Sequence, residues 1–302
     1  MNLRDIFLAI INPAAGGGRG RKLVGPALER LRAGGLKIET TETRTPGQGS
    51  EIAREAFNKG YRKFIAVGGD GTSYEIVNGL FPAEQSGEIA TLAFLPAGTG
   101  NSFLREFSDR GVEFAIEALL AGRSRGCDVL RMRHADGVIH YINLLSMGFA
   151  ADVAALRARH FSAWGEPGYQ ASILLTLVRF RRRPFPLRVD NEERADRRRC
   201  LFLTFNNSRF TGGTMMIAPK AEVNDGLIEF VRWGPIGRAG LIRNLPTLYD
   251  GTHVEHPLAE RKAVKKVEFL LDEPVDVMVD GEVLTLKCEV LDVLPSALNV
   301  VV

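Results

Sequence analysis

The chain has 302 residues, 45% hydrophobic and 25% charged, the balance of an ordinary folded protein, which excludes collagen-like, disordered and coiled-coil architectures. That length exceeds what one hydrophobic core usually serves, so two packed units are expected. The formal net charge is only +3, yet Arg179 to Arg199 holds nine arginines against four acids, so the basicity is local and the remainder of the chain is net negative.

The first 125 residues alternate short apolar runs with helical patterns, the signature of an open parallel sheet flanked by helices. Strands are expected at Ile6 to Ile11, Leu36 to Glu42, Lys63 to Val67 and Ile89 to Leu95. Helices are expected between and after them, at Arg21 to Ala33, Ser50 to Lys59, Ser73 to Leu80 and Val112 to Ala121, with Gly34-Gly35, Gly60 and Gly122 as C-terminal caps. After Gly122 the rhythm changes. Asp136-Gly137, Asn224-Asp225-Gly226 and Asp280-Gly281 separate β-rich runs at Val138 to Leu145, Cys200 to Phe205, Leu227 to Arg232 and Val275 to Val279, which predicts a mainly antiparallel second domain. Further helices are expected at Tyr169 to Phe180 and Arg238 to Tyr249.

The uncharged runs Gly137 to Ala151 and Ile89 to Leu104 are shorter than a membrane-spanning helix requires. The apolar run Ile6 to Ile11 is short for a signal segment and ends in Asn12-Pro13, so it reads as a buried strand and the protein as cytoplasmic. Cys127, Cys200 and Cys288 are odd in number and far apart, which suits buried thiols better than disulfides or a zinc site. His253-x-x-His256 lacks an obvious third metal ligand and is followed at once by Pro257, so no metal role is expected of it.

Three glycine-rich segments each follow a predicted strand and precede a predicted helix. They are Asn12-Pro13-Ala14-Ala15-Gly16-Gly17-Gly18, Gly68-Gly69-Asp70-Gly71-Thr72 and Pro96-Ala97-Gly98-Thr99-Gly100-Asn101-Ser102. In an open parallel sheet such segments gather at the carboxyl ends of the strands, where glycines let backbone N–H groups approach an anion and helix N-termini add favourable partial charge. Together they describe a polyphosphate cradle. Neither GxxxxGK[ST] nor a GxGxxG at a strand-to-helix junction is present, so this is neither a P-loop nor a standard dinucleotide fold. Asp70 is the carboxylate best placed for a cation near the bound phosphates, the alternative being a turn-stabilising side chain. Asp280-Gly281-Glu282 offers two carboxylates for proton transfer from an acceptor hydroxyl, although Asp-Gly is also a strong hairpin signal.

The order of Asn12-Pro13 with its glycines, Gly68-Gly69-Asp70-Gly71-Thr72, Pro96-x-Gly98-Thr99-x-Asn101, Pro219-x-Ala221-x-x-Asn224-Asp225-Gly226 and Asp280-Gly281-Glu282 resembles the diacylglycerol kinase catalytic-domain superfamily along nearly the whole chain. The resemblance implies an NAD kinase-like α/β nucleotide-binding domain over residues 1–125 and a mainly antiparallel, β-sandwich-like lipid-acceptor domain over 126–290, with residues 291–302 returning to the first. It implies ATP contacts from Asn12, Pro13, Gly16, Thr43, Gly68, Gly69, Asp70, Gly71, Thr72, Gly98, Thr99 and Asn101. It makes Glu282 the proton acceptor, with Asp280 and Asp70 in support. It also implies Mg2+ at a site where Asp225 supplies a side-chain oxygen and Val223 and Lys220 supply backbone carbonyls. Two departures stand out: Gly47-Gln48-Gly49 replaces the usual Gly-Asp-Ala after Thr43, and Ser102 stands where an Asp is frequent.

The implied activity is transfer of the γ-phosphoryl group of ATP to a lipid hydroxyl, most simply that of diacylglycerol. An NAD kinase shares the second segment but leaves the third unexplained. A noncatalytic lipid- or nucleotide-binding protein draws its support from Ser102. Arg179, Arg181, Arg182 and Arg183, beside Phe180, Phe185 and the apolar Ile173 to Val178, form a surface suited to anionic headgroups, so peripheral association with the inner membrane face is expected, with a solvated basic face as the alternative. Interleaved acids argue against nucleic acid, and a homo-oligomer is left open.

Overall fold

A computed structural model describes the chain apart from Met1, Arg19, residues 82–86, Thr99, residues 162–164 and Phe180. Its contacts divide the chain into two compact units, one of residues 1–129, 212–214 and 294–302, the other of residues 130–211 and 215–293. The division falls inside two strands, Ser124–His134 and Cys288–Val301.

The first unit is built in the expected alternation: β1 (Phe7–Ile11), α1 (Gly20–Ala33), β2 (Ile38–Glu42), α2 (Gln48–Lys59), β3 (Lys63–Gly68), α3 (Asp70–Leu80), β4 (Thr91–Pro96), α4 (Ser102–Arg105) and α5 (Val112–Ala121). The strands are parallel in the order β2-β1-β3-β4, and Asn299 to Val301 pair in parallel beside β4. Strands β3 and β4 read as continuous apolar runs because both faces are covered, whereas the edge strand β2, Ile-Glu-Thr-Thr-Glu, is largely exposed. Helix α2 buries Gly49, Ala53, Ala56 and Phe57, the spacing of one helical face, and stops at Gly60, whose φ of 107° lets its N–H return to Ala56 and Phe57. Helix α3 begins at Asp70, three residues before the position predicted from periodicity, so Asp70, Gly71 and Thr72 form a first helical turn rather than a loop.

The second unit contains a six-stranded antiparallel sheet in the order Ala259–Val264, Ile228–Trp233, Phe202–Asn206, Leu144–Gly148, Val275–Val279 and Glu282–Leu286. A second layer pairs Leu187–Val189 with Lys266–Phe269, and the latter with residues 290–292. The layers meet through Phe205 and Phe269, whose rings lie 5.3 Å apart edge to face. Trp233, Phe202, Leu201 and Leu248 belong to the apolar cluster on the other side of the six-stranded sheet. His253 is part of this interior, with Nε2 3.1 Å from the Ile217 carbonyl and its ring 5.8 Å from that of Trp233.

Two expectations for this unit need correction. The helix predicted over Arg238 to Tyr249 is two, Arg238–Asn244 and Thr247–Asp250, because Pro246 cannot donate to the helical ladder. The strand predicted over Val138 to Leu145 is also two, Gly137–Tyr141 and Leu144–Gly148, and it is followed by an unforeseen helix, Phe149–Leu156. Cys127, Cys200 and Cys288 are buried and form no disulfide, and burial pushes the thiols of Cys200 and Cys288 up to about 12. Among the described residues no helix is long and apolar enough to cross a membrane.

Candidate active site

In the first unit the three glycine-rich segments touch one another, and the glycines are what permits it. Gly16 has a φ of 60°, and a Cβ there would lie 2.4 Å from the Ala97 carbonyl oxygen, so the first segment rests on the third. A Cβ on Gly98 would lie 2.7 Å from the Cα of Gly69, so the third rests on the second. The Ala97 and Gly98 N–H groups both donate to the Gly68 carbonyl, at 2.8 and 3.1 Å. Asn12 accepts from the Ala14 N–H at 3.0 Å and reaches the Thr72 hydroxyl at 3.4 Å, which ties the first segment to the second. Pro13 follows Asn12 in this turn and is half-buried. Asn101 takes a left-handed conformation, φ 47°, and donates its side-chain N–H to the Gly98 carbonyl at 3.0 Å.

Asp70 stitches the same region from beneath. Its Oδ2 accepts the Ser102 N–H at 3.0 Å and its Oδ1 the more distant Phe103 N–H at 3.4 Å, so the carboxylate braces the start of α4. Burial pushes the Asp70 carboxyl up, and the bonds from Ser102 and Phe103 partly oppose that shift. Ser102 in turn accepts the Gly213 N–H at 3.0 Å through Oγ. The Ser102 hydroxyl also bonds to Asp70, so this residue joins the second segment, the third and the 212–214 turn.

Thr43 is buried, and its N–H donates to the Ile11 carbonyl at 2.9 Å, directly before Asn12. The departure at Gly47-Gln48-Gly49 has a local cause that periodicity does not reveal. The Glu75 carboxylate accepts the Gly47 and Gly49 N–H groups at 2.7 and 2.8 Å, and a Cβ on Gly49 would lie 2.5 Å from its Oε2. Glu75 was missed from sequence. Its only trace was the pair of glycines that make room for it. Thr99 lies outside the described residues.

In the second unit, Asp280 and Gly281 have φ values of 46° and 89° and join strands in which Val279 pairs with Glu282, so the turn is a two-residue hairpin. It is more than a turn. The Asp280 side chain is buried and accepts three successive backbone N–H groups, from Ile142 at 3.0 Å, Asn143 at 3.1 Å and Leu144 at 2.9 Å. Both carboxylate oxygens are thereby engaged by the chain, which gives Asp280 the geometry of an anchor. Glu282, two residues on, is exposed at the start of its strand.

The Asn224-Asp225-Gly226 turn lies in the same unit. Asp225 is exposed and accepts the Leu227 N–H at 2.9 Å through Oδ1, while Gly226 turns the chain with a φ of 73°. Val223 is buried and Lys220 exposed. Glu229 is buried nearby and paired with Arg261; burial raises its carboxyl most, Arg261 opposes this, and Asp225 adds to it. One carboxylate with two backbone carbonyls is a donor set that a hard cation completes with water. Among the described residues no group of three or more His, Cys, Asp or Glu side chains could hold a metal.

Residues 7–132 match the model of the diacylglycerol kinase catalytic domain, and residues 143–302 match that of the YegS C-terminal NAD kinase beta sandwich-like domain. This chain belongs to the YegS-like lipid kinase family. A relative from Pseudomonas aeruginosa, named a YegS-like lipid kinase, is 30% identical over 93% of this chain and 90% of its own. A diacylglycerol kinase of Mycobacterium tuberculosis is 27% identical over 97% of this chain and 93% of its own. The fold is shared with a crystal structure of a diacylglycerol kinase from Bacillus anthracis, at a TM-score of 0.72 and 19% identity over 98% of this chain and 96% of that one. As in the sequence-based expectation, a parallel α/β unit is followed by an antiparallel one, and the family's second domain is described as NAD kinase-like.

Proposed function

We propose that this lipid kinase transfers the γ-phosphoryl group of ATP to the hydroxyl of diacylglycerol, with Mg2+ as the accompanying cation. The observation that carries this reading is the mutual contact of the three glycine-rich segments, which gathers backbone amides and the start of α3 in one place. The triphosphate would lie against Asn12, Pro13, Gly16, Gly68, Gly69, Gly71, Thr72, Gly98 and Asn101, with Thr43 supporting the first turn and Thr99 included by its place in the motif. Asp70 holds the third segment against the second rather than offering free oxygens.

Phosphoryl transfer demands positioning and charge neutralisation more than covalent chemistry from the protein. Glu282 accepts the proton as the acceptor O–H bond breaks and the new O–P bond forms, while the bond from the γ-phosphorus to its bridging oxygen breaks and ADP departs. Glu282 is exposed at the start of its strand, and Asp280 fixes the hairpin that carries it. Asp225, with the carbonyls of Val223 and Lys220, would hold the cation, which supplies compensation of phosphate charge when bound.

Incubation with γ-labelled ATP, magnesium and separately diacylglycerol, a sphingoid base or NAD tests the reading. Label on diacylglycerol is expected. Label on the sphingoid base would move the acceptor to another lipid class, and label on NAD or on nothing would overturn the proposal.

A further inference from the structure

In the helix Gly165–Val178, among the described side chains, the buried positions are small or polar, Gly168, Ser172 and Thr176, while Leu177 is half-buried against the neighbouring core. Ser172 is fully buried, with its hydroxyl donating to the Gly168 carbonyl at 2.8 Å, and Thr176 one turn later is also buried. On the other side, Leu174 is 61% exposed, Leu175 36% and Val178 66%. Positions 171, 174, 175 and 178 share one helical face. A single exposed leucine is ordinary, but three large apolar side chains on one face of a helix whose buried positions, among the described residues, hold Gly, Ser and Thr are not.

The chain leaves this helix through arginines. Arg179, Arg181 and Arg182 are exposed. Arg182 donates to the Pro235 carbonyl at 3.1 Å, and Arg238 donates to the Val178 carbonyl at 2.7 Å, which brings a further guanidinium to the end of the helix. One turn beyond Arg238, Ile242 is 55% exposed. Arg183 differs from the rest: it pairs with Asp152, and its guanidinium lies over the buried Phe185 ring. Phe180 lies outside the described residues.

We propose that Leu174, Leu175 and Val178, with Arg179, Arg181, Arg182 and Arg238, form a docking surface for an anionic lipid bilayer. The apolar side chains enter the boundary between headgroups and acyl chains while the guanidinium groups meet phosphates, the arrangement of an interfacial helix. Charge selects the occupant. Two copies of this chain meeting face to face here would oppose their arginines, whereas an anionic bilayer complements them. A solvated basic face alone leaves the outward leucines unexplained. The use of such a surface rests on the lipid-kinase reading, but its test needs no turnover.

The full chain is sedimented with vesicles of phosphatidylcholine alone and of phosphatidylcholine with phosphatidylglycerol, at low and high salt. The unaltered protein is expected to pellet with the anionic vesicles and to be released by salt. The double variant Leu174→Ser with Val178→Ser should bind roughly tenfold more weakly, and Arg181→Glu with Arg182→Glu should abolish the preference for phosphatidylglycerol. The melting curve of the serine variant should match the parent, because its altered side chains are exposed, and that of the glutamate variant should fall only slightly with the loss of the exposed Arg182 bond to Pro235. The proposal is overturned if the parent stays in the supernatant, if both variants pellet like the parent, or if the parent elutes as a dimer that the serine variant dissociates. Phosphorylation of detergent-dispersed diacylglycerol, measured in parallel, separates the readings. Binding without phosphorylation keeps the docking surface and removes the kinase assignment, and the converse removes only the surface.

Discussion

Asp70 in the first unit, half-buried, and Asp280 in the second, buried, both accept backbone N–H groups from distant stretches of chain, yet they hold their surroundings differently. Asp70 takes one N–H at 3.0 Å and one at 3.4 Å, and the close approach of the cradle's segments further requires that Gly16 and Gly98 lack side chains. Asp280 takes three N–H groups between 2.9 and 3.1 Å and so holds its hairpin through charge. The cradle is therefore sensitive to added volume and the hairpin to lost charge.

The largest effect is expected from removing that charge. Asp280→Ala leaves three buried N–H groups without their acceptor and should cost roughly 3–5 kcal/mol in urea denaturation, and an unchanged midpoint would show that they find other partners. Glu282→Gln should leave stability within about 0.5 kcal/mol because Glu282 is exposed, while kcat falls about a hundredfold or more. Near-normal turnover would remove Glu282 as the proton acceptor. Gly98→Ala forces a Cβ against the Gly69 backbone and should cost about 1–3 kcal/mol, with weakened ATP binding by calorimetry. Retained affinity would mean that the segments part without consequence for the nucleotide.

The smallest effects are in the pH dependence, where two groups act with opposite sign. Asp70 titrates above the ordinary carboxylate range because burial disfavours its charge, so its contribution is full in acid and is lost as pH rises through its raised value. His140 is driven by burial, and next by Arg131, from 6.5 down to about 4, so its contribution is full above 6.5 and is lost as pH falls toward 4. Denaturation midpoints across this range should lose the acid-side decline in His140→Gln and the opposing slope in Asp70→Asn. A variant that leaves the profile unchanged contradicts the sign assigned to that group.

The first unit was legible because its signals are local. The apolar run ending at Ile11, the Ala53, Ala56 and Phe57 face and the caps at Gly60 and Gly122 each lie within one element, and Val112–Ala121 has the bounds that periodicity predicted. Helix α3 starts early because Asp70 and Thr72 carry no apolar signal, although they form its first turn. The helix Phe149–Leu156 escaped because it follows the buried strand Leu144–Gly148 without a polar cap, so apolar residues run unbroken from one element into the next. The bracing contacts were the least readable. Glu75 meets Gly47 and Gly49 across two helices, Gly213 meets Ser102 from 111 residues away, and Asp280 meets Leu144 from 136. Such partners leave in the sequence only an isolated glycine or an acid in a turn, each of which has a common local explanation.

The account depends most on the glycine-rich segments holding the nucleotide's phosphates. A crystal structure with a non-hydrolysable ATP analogue and magnesium tests this directly. The account predicts the triphosphate against the backbone of Gly16, Gly69 and Gly98 with little movement of those segments. A nucleotide bound elsewhere, or segments that separate to admit it, would contradict it.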